Sequence, residues 1–241
     1  MKSVTEIYEQ MLDQNYLGLD KWAHHLSVYD RFLTGHEPIE GETFTLVNFS
    51  ESIDSGLLFH RLLSSWGLED FRVFQVYKYS EKDPTELAEA GVFSEQGDYE
   101  DDGYLAKLYN RLGRIDVLID DTHYTNSQRT IFKTLYSRMP AGSLYFVEDT
   151  YLNYRTTHIN CQPTFMEMMQ TMIQRLDEWQ ANQMDDNQFR EPHWKRDTEY
   201  TNVSEFPRQT TGIHFFNGMV LLEKDSVEAP SQLVKKWGKP T

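Results

Sequence analysis

The stretch Arg114–Gln128, "RIDVLIDDTHYTNSQ", decides the fold, because it joins a buried strand to acidic side chains. The run Ile115–Ile119 is β-rich and largely apolar, and it ends on Asp120 and Asp121, with His123 just beyond. A short apolar run of this kind is typical of a strand that is buried within a parallel sheet. Ligands bind beyond the carboxyl ends of such strands. The residues that follow this run are therefore candidates for a functional site.

A second run repeats the pattern. In "SLYFVEDTYLNY", Ser143–Tyr154, the apolar segment Leu144–Val147 ends on Glu148 and Asp149. Neighbouring strands lie about 4.8 Å apart, so four carboxylates at adjacent strand ends would repel one another unless they were protonated or bridged by a cation. Mg²⁺ takes oxygen ligands and leaves positions for water or substrate. The two acidic pairs therefore predict a divalent-metal site.

Simpler roles stay open for these residues. One acid of each pair could cap the following helix or accept backbone N–H bonds, which would explain Asp120 or Asp149 alone but both pairs together less well. His123 could act as a general base beside the metal, since an unperturbed imidazole titrates near neutral pH. A single histidine after a strand is also commonly a surface or capping residue, so its position alone leaves both roles open.

The composition favours one folded α/β domain with an added helical element. The chain has 241 residues, of which 39% are hydrophobic and 14% aromatic, and this suffices for a sizeable core. There are 38 acidic and 23 basic residues, which give a net charge of −15. Nucleic acid is therefore not expected as a partner, because phosphate binding depends on clustered lysine and arginine.

The cysteine content and the apolar runs bear on the compartment. Cys161 is the single cysteine, which excludes an intramolecular disulfide and a cysteine-based zinc cluster. The N-terminal residues include acids and lack an apolar segment of signal length. No stretch approaches the roughly 20 apolar residues that a membrane-spanning helix needs. We therefore expect a cytoplasmic protein that does not bind membranes.

Helix and strand signals alternate along the chain. We read residues 1–40 as an N-terminal helical cap and residues 41–241 as one Rossmann-like domain. Within that domain the patterns predict strands at 43–49, 71–79, 115–119 and 143–147, helices at 56–67, 83–91, 102–113, 125–138 and 163–183, and a loop or lid at 185–202. This alternation with short turns is the signature of a parallel sheet covered by helices.

The end of the chain has a different pattern. Asn217 and Gly218 lie between two β-rich runs, and Asn-Gly in that setting is the strongest short hairpin signal. The sheet is therefore predicted to be mostly parallel and closed by an antiparallel C-terminal β-hairpin. An α/β fold of this kind is typical of the class I methyltransferase form of the Rossmann-like fold, although topology alone does not establish a function.

Several segments together resemble one family. In chain order they are "LDKWAHHLSVYDRF", "GDYEDDGYL", "IDVLIDDTHYTNSQRTIFKTLY", "GSLYFVEDTYLNY" and "GIHFFNGMVLLEK". They resemble the metal-dependent sugar O-methyltransferases of macrolide biosynthesis and their cephalosporin-hydroxylase-like relatives, from about Asp20 to Lys224. The family has an acidic pair and a histidine after its fourth strand, and after its fifth strand Glu-Asp with a tyrosine five residues later. His123 matches this pattern only if one residue is deleted. The other matching residues are Asp120, Asp121, Glu148, Asp149 and Tyr154.

The resemblance implies methyl transfer from S-adenosylmethionine to a hydroxyl of a sugar or another polyhydroxylated small molecule. It also implies that Asp121, Glu148 and Asp149 hold Mg²⁺ or Mn²⁺ and that His123 takes the hydroxyl proton. Related enzymes often assemble, so a homo-oligomer is an open expectation. The cofactor contacts implied by the resemblance are Asn48, Ser50, Ser52, Asp98 and Asp120.

The N-terminal segment "DKWAHH" has two interpretations. If it is helical, Lys21, His25 and Tyr29 follow one another at four-residue steps on one face. The resemblance places these three residues and Tyr154 near the acceptor. The alternative is a helix that docks Trp22 into the core.

The cofactor-binding turn departs from the family pattern. After the first predicted strand, Asn48 replaces an acidic residue and Ser50 the first glycine, and only Gly56 remains. Serine does not tolerate the close backbone approach that glycine allows. The second strand ends on Tyr77–Tyr79 rather than on an acid that could hold ribose hydroxyls. Two further functions therefore stay open, namely a metal-dependent enzyme that uses another cosubstrate and a non-catalytic methyltransferase-like binding protein.

Overall fold

A computed structural model describes residues 1–16, 18–34, 36, 41–52, 54–79, 85–178 and 203–228. The strands are β1 Phe44–Ser50, β2 Phe71–Tyr77, β3 Phe93–Gln96, β4 Val117–Asp121, β5 Leu144–Val147, β6 Thr210–Phe216 and β7 Met219–Lys224. The α-helices are α1 Val4–Asp13, α2 Ala23–Leu33, α3 Asp54–Ser65, α4 Thr85–Glu89, α5 Asp102–Leu112, α6 Thr125–Leu135, α7 Phe165–Leu176 and α8 Glu205–Gln209. Two 3-10 helices cover Tyr136–Arg138 and Thr150–Tyr154.

The strands form one sheet in the order β3-β2-β1-β4-β5-β7-β6. Strands β1 to β5 pair in parallel, whereas β7 runs antiparallel to β5 and forms a hairpin with β6. Phe216 pairs with Met219, so the turn consists of Asn217 and Gly218, and Gly218 has the positive φ of 75° that glycine adopts without strain. The prediction of a mostly parallel sheet closed by an antiparallel hairpin is confirmed.

The sheet is buried on both faces because successive residues of each strand point to opposite sides. Leu46 and Ile119 pack on one side with helices α1, α2 and α3. Val47 and Leu118 pack on the other side with α5, α6 and α7. This arrangement explains why β4 is an almost uninterrupted apolar run whose polar residues stand at its carboxyl end.

The N-terminal helices join the first of these cores. Helix α1 begins at a capping box in which the side chain of Ser3 accepts from the backbone N–H of Glu6 and the side chain of Glu6 accepts from that of Ser3. Tyr29 of α2 is fully buried, and its ring contacts Phe146 of β5 with 4.7 Å between ring centroids. The division into a cap of residues 1–40 and a domain of residues 41–241 stays a prediction.

Two elements differ from the sequence-based predictions. Strand β3 was not predicted, because three of its four residues, Phe-Ser-Glu-Gln, are polar and the strand lies at the edge of the sheet. The predicted helix 163–183 is observed as α7, which begins at a capping box formed by Thr164 and Glu167 and ends at Leu176. The loop or lid predicted at 185–202 lies outside the described residues.

Lys224, the last residue of β7, ties the hairpin to the end of α6. Its ammonium group donates to the carbonyl oxygens of Tyr136 and Ser137, at 2.7 and 2.8 Å. Burial lowers the pKa of Lys224 to about 8, although Glu205 acts in the opposite direction. A lowered lysine pKa disfavours folding below that pKa and favours it as the pH rises towards the unfolded value.

Replacing Lys224 with methionine is expected to lower the free energy of unfolding by about 1–3 kcal/mol, because two buried carbonyl groups lose their donor. The loss measured by urea unfolding should be larger at pH 10 than at pH 7.5, since the wild type alone gains stability across that range. Equal losses at both pH values would show that Lys224 keeps its ordinary pKa in the folded protein.

None of the helices in the described part of the chain is long and apolar enough to cross a membrane.

Candidate active site

The carboxyl ends of β4 and β5 meet as predicted, but the two acids of β4 face different surroundings. Asp120 is fully buried and accepts from the hydroxyl of Tyr145 at 2.9 Å and from that of Thr122 at 2.6 Å. Burial raises its pKa to about 7, against these hydrogen bonds. Asp120 is not among the residues that line the cavity described below. It accepts from the backbone N–H of Thr122, as the simpler alternative allowed, but it does not cap α6, whose N-cap is Tyr124. Its predicted cofactor contact stays a prediction.

Asp121 points the other way and is held by two donors. Its Oδ2 accepts from the ammonium of Lys21 and from the hydroxyl of Ser50, both at 2.8 Å. Burial raises the pKa of Asp121 above its ordinary value, although Lys21 opposes this. Asp121 is therefore anchored through one oxygen by the N-terminal segment and by the end of β1.

The Glu148 carboxylate contacts all three residues that were predicted to share one helix face. Its carboxylate accepts from Lys21 Nζ at 2.5 Å and from the hydroxyl of Tyr29 at 2.6 Å, and His25 Nδ1 lies 3.2 Å away. Burial acts to raise the pKa of Glu148, but the ammonium of Lys21 outweighs it and holds that pKa below its usual range. Glu148 is thus a buried anion, and Lys21, placed between Asp121 and Glu148, is its counter-ion.

The same geometry decides the role of the N-terminal segment. Lys21 lies just before the N-cap of α2, whereas His25 and Tyr29 lie within that helix. Trp22 is 52% exposed, so the alternative in which this helix docks Trp22 into the core is wrong. The indole N–H of Trp22 instead donates to Asp149 at 3.1 Å.

Asp149 adopts a backbone conformation that is uncommon for a residue with a side chain. Its φ is 52°, in the left-handed region, at a cost of roughly 1–2 kcal/mol. The hydrogen bonds from Glu148 N to Asp120 O and from Thr150 N to Gly218 O hold the backbone on either side. Such conformations persist where the surroundings fix them, and they cluster at functional sites. Here the conformation places the Asp149 carboxylate 3.7 Å from His123 Nε2.

Asp121, His123 and Asp149 form a group that could hold a metal ion. One ligand atom from each lies within 4.8 Å of the others. Mg²⁺ and Mn²⁺ both prefer oxygen ligands, so the carboxylates of Asp121 and Asp149 suit either ion, and His123 beside them stays free for its predicted role as base. Asp121 and Asp149 were both predicted as ligands. Glu148 is not part of this group in the structure, and its assignment as a third ligand stays a prediction.

These residues open onto a polar cavity of about 520 Å³. The sequence-based predictions included part of this lining, with Tyr151 among the aromatic candidates, but they missed Glu51 and Arg155 and considered Trp22 only as a core residue. Glu51 could have been found, because it lies two residues after the predicted first strand and ligands bind beyond strand ends. The lining consists of Asp20, Trp22, Ser50, Glu51, Ser52, Asp121, His123, Asp149, Tyr151, Leu152, Arg155 and His158.

The turn after β1 divides the predicted cofactor residues. Ser50 and Ser52 line the cavity, and the hydroxyl of Ser52 donates to the carbonyl of Gly18. Asn48 is fully buried beneath them and donates to Gln75 at 2.7 Å. Gly56 lies in α3, where an added Cβ would stand 3.1 Å from Gln75, so this glycine permits helix–sheet packing. The cofactor contacts predicted for Asn48, Ser50 and Ser52 stay predictions.

Two further predicted residues, Asp98 and Tyr154, are not among those that line the cavity. Asp98 pairs with the ammonium of Lys78 at 2.9 Å, and this hydrogen bond lowers its pKa. Tyr154 is 69% exposed and does not line the cavity, whereas Tyr151, three residues earlier, does. A neighbouring cavity of about 270 Å³ shares Trp22, Tyr151 and Arg155 with the first.

The strand order, with the antiparallel β7 beside β5, defines a class I methyltransferase-like fold. The sequence relatives are O-methyltransferases, which is the class of enzyme that the resemblance implied. The chain is 24% identical over 157 residues to mycinamicin VI 2''-O-methyltransferase of Micromonospora griseorubida, covering 62% of this chain and 36% of that protein. It is 30% identical over 141 residues to 8-demethyl-8-alpha-L-rhamnosyl tetracenomycin-C 2'-O-methyltransferase of Streptomyces olivaceus, covering 57% and 36%.

A solved structure shares the fold of this chain. MycE, a methyltransferase from the mycinamycin biosynthetic pathway in complex with Mg and SAH, superimposes with a TM-score of 0.69 and 16% identity, over 93% of this chain and 55% of MycE. This likeness shows the fold. No protein-family profile matches the chain. The chain spans about a third of the length of the curated relatives it matches. The predicted resemblance to macrolide and sugar O-methyltransferases is confirmed.

Proposed function

We propose that this protein is a divalent-metal-dependent O-methyltransferase that uses S-adenosylmethionine and acts on a hydroxyl of a sugar or another polyhydroxylated small molecule. The observation that carries the proposal is the convergence of Asp121, His123 and Asp149 on one polar cavity at the ends of β4 and β5. The chemistry named for the sequence relatives supports it. Small-molecule hydroxyl acceptors suit a net charge of −15 better than nucleic acid does.

Each residue of the site has a separate proposed role in the reaction. Asp121 and Asp149 are the carboxylates that would hold the metal, and Lys21 keeps Asp121 in place from behind. When bound, the metal supplies positive charge that favours loss of the acceptor's proton, and S-adenosylmethionine supplies an activated methyl group. His123 takes that proton, and the nearby Asp149 carboxylate favours the imidazolium that forms. Ser50, Ser52 and Asp98 are proposed to contact the cofactor.

The aromatic groups at the entrance support a sugar as acceptor. Trp22 is half-exposed and stands edge to face with Tyr151, with 6.3 Å between ring centroids. Its indole N–H is fixed by Asp149, so the ring is oriented beside the metal-capable group. Aromatic rings with a polar edge suit ligands that present both apolar and hydroxyl faces. Assembly into a homo-oligomer stays a prediction.

The test is a transfer assay with radiolabelled S-adenosylmethionine and a panel of glycosylated acceptors, including mycinamicin VI. We expect transfer that is abolished by EDTA and restored by Mg²⁺ or Mn²⁺, because the carboxylates need the cation to act on the acceptor. Transfer that is unaffected by EDTA would contradict the metal-dependent proposal.

A second candidate is a metal-dependent enzyme on the same scaffold that uses another cosubstrate. One observation favours it: Ser50, the last residue of β1, is followed by Glu51 and Ser52, so this segment contains no glycine. Metal binding without any binding of S-adenosylhomocysteine would select this candidate over the first.

A further inference from the structure

Glu51 is a cavity residue to which neither the sequence pattern nor the relatives assign a role. It follows β1 directly, and Phe49 of β1 pairs with Val76 of β2. Because the two strands are parallel, Glu51 lies level with Lys78, just past the carboxyl end of β2. Its carboxylate accepts from the backbone N–H of Lys78 at 3.2 Å and from that of Tyr79 at 2.6 Å. A carboxylate from β1 therefore stands at the end of β2, where β2 itself has no acid.

A third donor fixes this carboxylate. The hydroxyl of Tyr99 donates to Oε1 of Glu51, and the Tyr99 ring packs edge to face on Phe49 with 6.0 Å between centroids. Burial and the nearby Glu51 carboxylate raise the pKa of Tyr99, so the hydroxyl keeps its proton and remains a donor. The ammonium of Lys78 lies 5.8 Å from the same ring and pairs with Asp98. The position of the Glu51 carboxylate is thus set before any ligand arrives.

The Glu51 carboxylate can accept further hydrogen bonds. An ionised carboxylate offers about four acceptor positions, two on each oxygen. Oε1 accepts from Lys78 N and the Tyr99 hydroxyl, whereas among the described residues Oε2 accepts from Tyr79 N alone. Within the same part of the chain, no lysine, arginine or histidine forms an ion pair with Glu51. A partly exposed, negatively charged acceptor with a free position suits a hydroxyl donor and repels phosphate or carboxylate groups.

The position of Glu51 in the sheet indicates which hydroxyl group of a ligand would donate to it. β2 and β4 flank β1, so the end of β2 lies about 10 Å from the end of β4, where Asp121 stands. The reactive end of a methyl donor must lie near His123 and Asp121. The nucleoside part of the same molecule then extends along the cavity towards β1 and β2.

We propose that Glu51 is a cofactor-binding residue whose carboxylate accepts a hydrogen bond from a ribose hydroxyl of the nucleoside. The proposal rests on the proposed function, since it assigns part of the S-adenosylmethionine site. It supplies an anchor that the end of β2 lacks, through a residue carried by the neighbouring strand.

The test is calorimetric titration with S-adenosylhomocysteine of the wild type, Glu51→Gln and Glu95→Gln. Glu95 of β3 is the matched control, because its carboxylate also accepts from a tyrosine hydroxyl, that of Tyr104, but does not line the cavity. The 2'-deoxy and 3'-deoxy analogues of S-adenosylhomocysteine are titrated into the wild type and Glu51→Gln. These titrations into the wild type do not depend on how well the variant folds.

We expect the affinity of Glu51→Gln for S-adenosylhomocysteine to fall about 10- to 100-fold, as for loss of a hydrogen bond to a charged group, with no change in Glu95→Gln. One of the deoxy analogues should bind the wild type more weakly by a similar factor and should bind Glu51→Gln without further loss. Unchanged affinity in Glu51→Gln, or equal binding of both analogues by the wild type, would overturn the assignment and leave the proposed function standing. A wild type that binds none of the three ligands would overturn both.

Discussion

Replacing Asp121 with asparagine is expected to lower kcat/KM for methyl transfer by about 10²- to 10⁴-fold while the protein stays folded. A catalytic metal contributes several kcal/mol of charge stabilisation, and each 1.36 kcal/mol corresponds to a factor of ten in rate. Asp121 belongs to the metal-capable group with His123 and Asp149, and asparagine keeps its shape while removing the charge. The change is measured by transfer assays across a range of Mn²⁺ concentrations and by circular dichroism for the fold.

Asp13→Asn is the matched control, because Asp13 is exposed at the end of α1, far along the chain from the strand ends. It makes the same chemical change without touching the cavity, so its kcat/KM should equal that of the wild type. A folded Asp121→Asn protein with full activity would rule out a role for Asp121 in holding the metal.

Replacing Lys21 with methionine is expected to lower the free energy of unfolding by about 3–5 kcal/mol in the absence of added metal. The side chain of Lys21 is fully buried and contacts both Asp121 and Glu148, at 2.8 and 2.5 Å. Removing one partner of a buried ion pair leaves the other charge without compensation, which costs more than the pair itself contributes. Urea unfolding monitored by tryptophan fluorescence measures the loss.

Two further variants separate charge from packing. Combining Lys21→Met with Glu148→Gln should recover part of the lost stability, because the charge of Glu148 is then absent and only Asp121 keeps an uncompensated carboxylate. Lys2→Met, which alters an exposed lysine that donates to Gln10, should change stability by no more than about 0.5 kcal/mol. If the double variant is as unstable as Lys21→Met alone, the loss comes from packing and the counter-ion role is wrong.

The fold was predictable because its signals are local. The apolar run that became β4, the alternation of strands with helices, and the Asn217-Gly218 turn each lie within a few residues, and together they define the sheet. Strand β3 was not predicted because three of its four residues are polar, so it contains no apolar run. Helix α8, with five residues, is likewise too short to give a periodic pattern.

The candidate site was predictable only in part, because its pairings join residues that are far apart in the chain. The rule that ligands bind beyond the carboxyl ends of parallel strands identified Asp121 and Asp149, and these two residues do lie together. That rule could not show that Lys21, 127 residues before Glu148, would form an ion pair with the Glu148 carboxylate. Nor could it show that Glu51 would reach the end of β2, since that depends on the register between two strands. Spacing placed Lys21, His25 and Tyr29 on one face, and only the folded chain reveals that this face meets Glu148.

The central claim is that the cavity beside Asp121 and Asp149 binds S-adenosylmethionine in a protein that also binds a divalent metal. Calorimetric titration of the purified protein with S-adenosylhomocysteine, with and without Mg²⁺, tests it most directly. We expect one binding site with a dissociation constant on the order of micromolar, since Ser50, Ser52 and Glu51 are proposed to take the place of the glycine-rich anchor. Absence of binding under both conditions would contradict the account, and the acids and His123 would then have to serve a different cosubstrate.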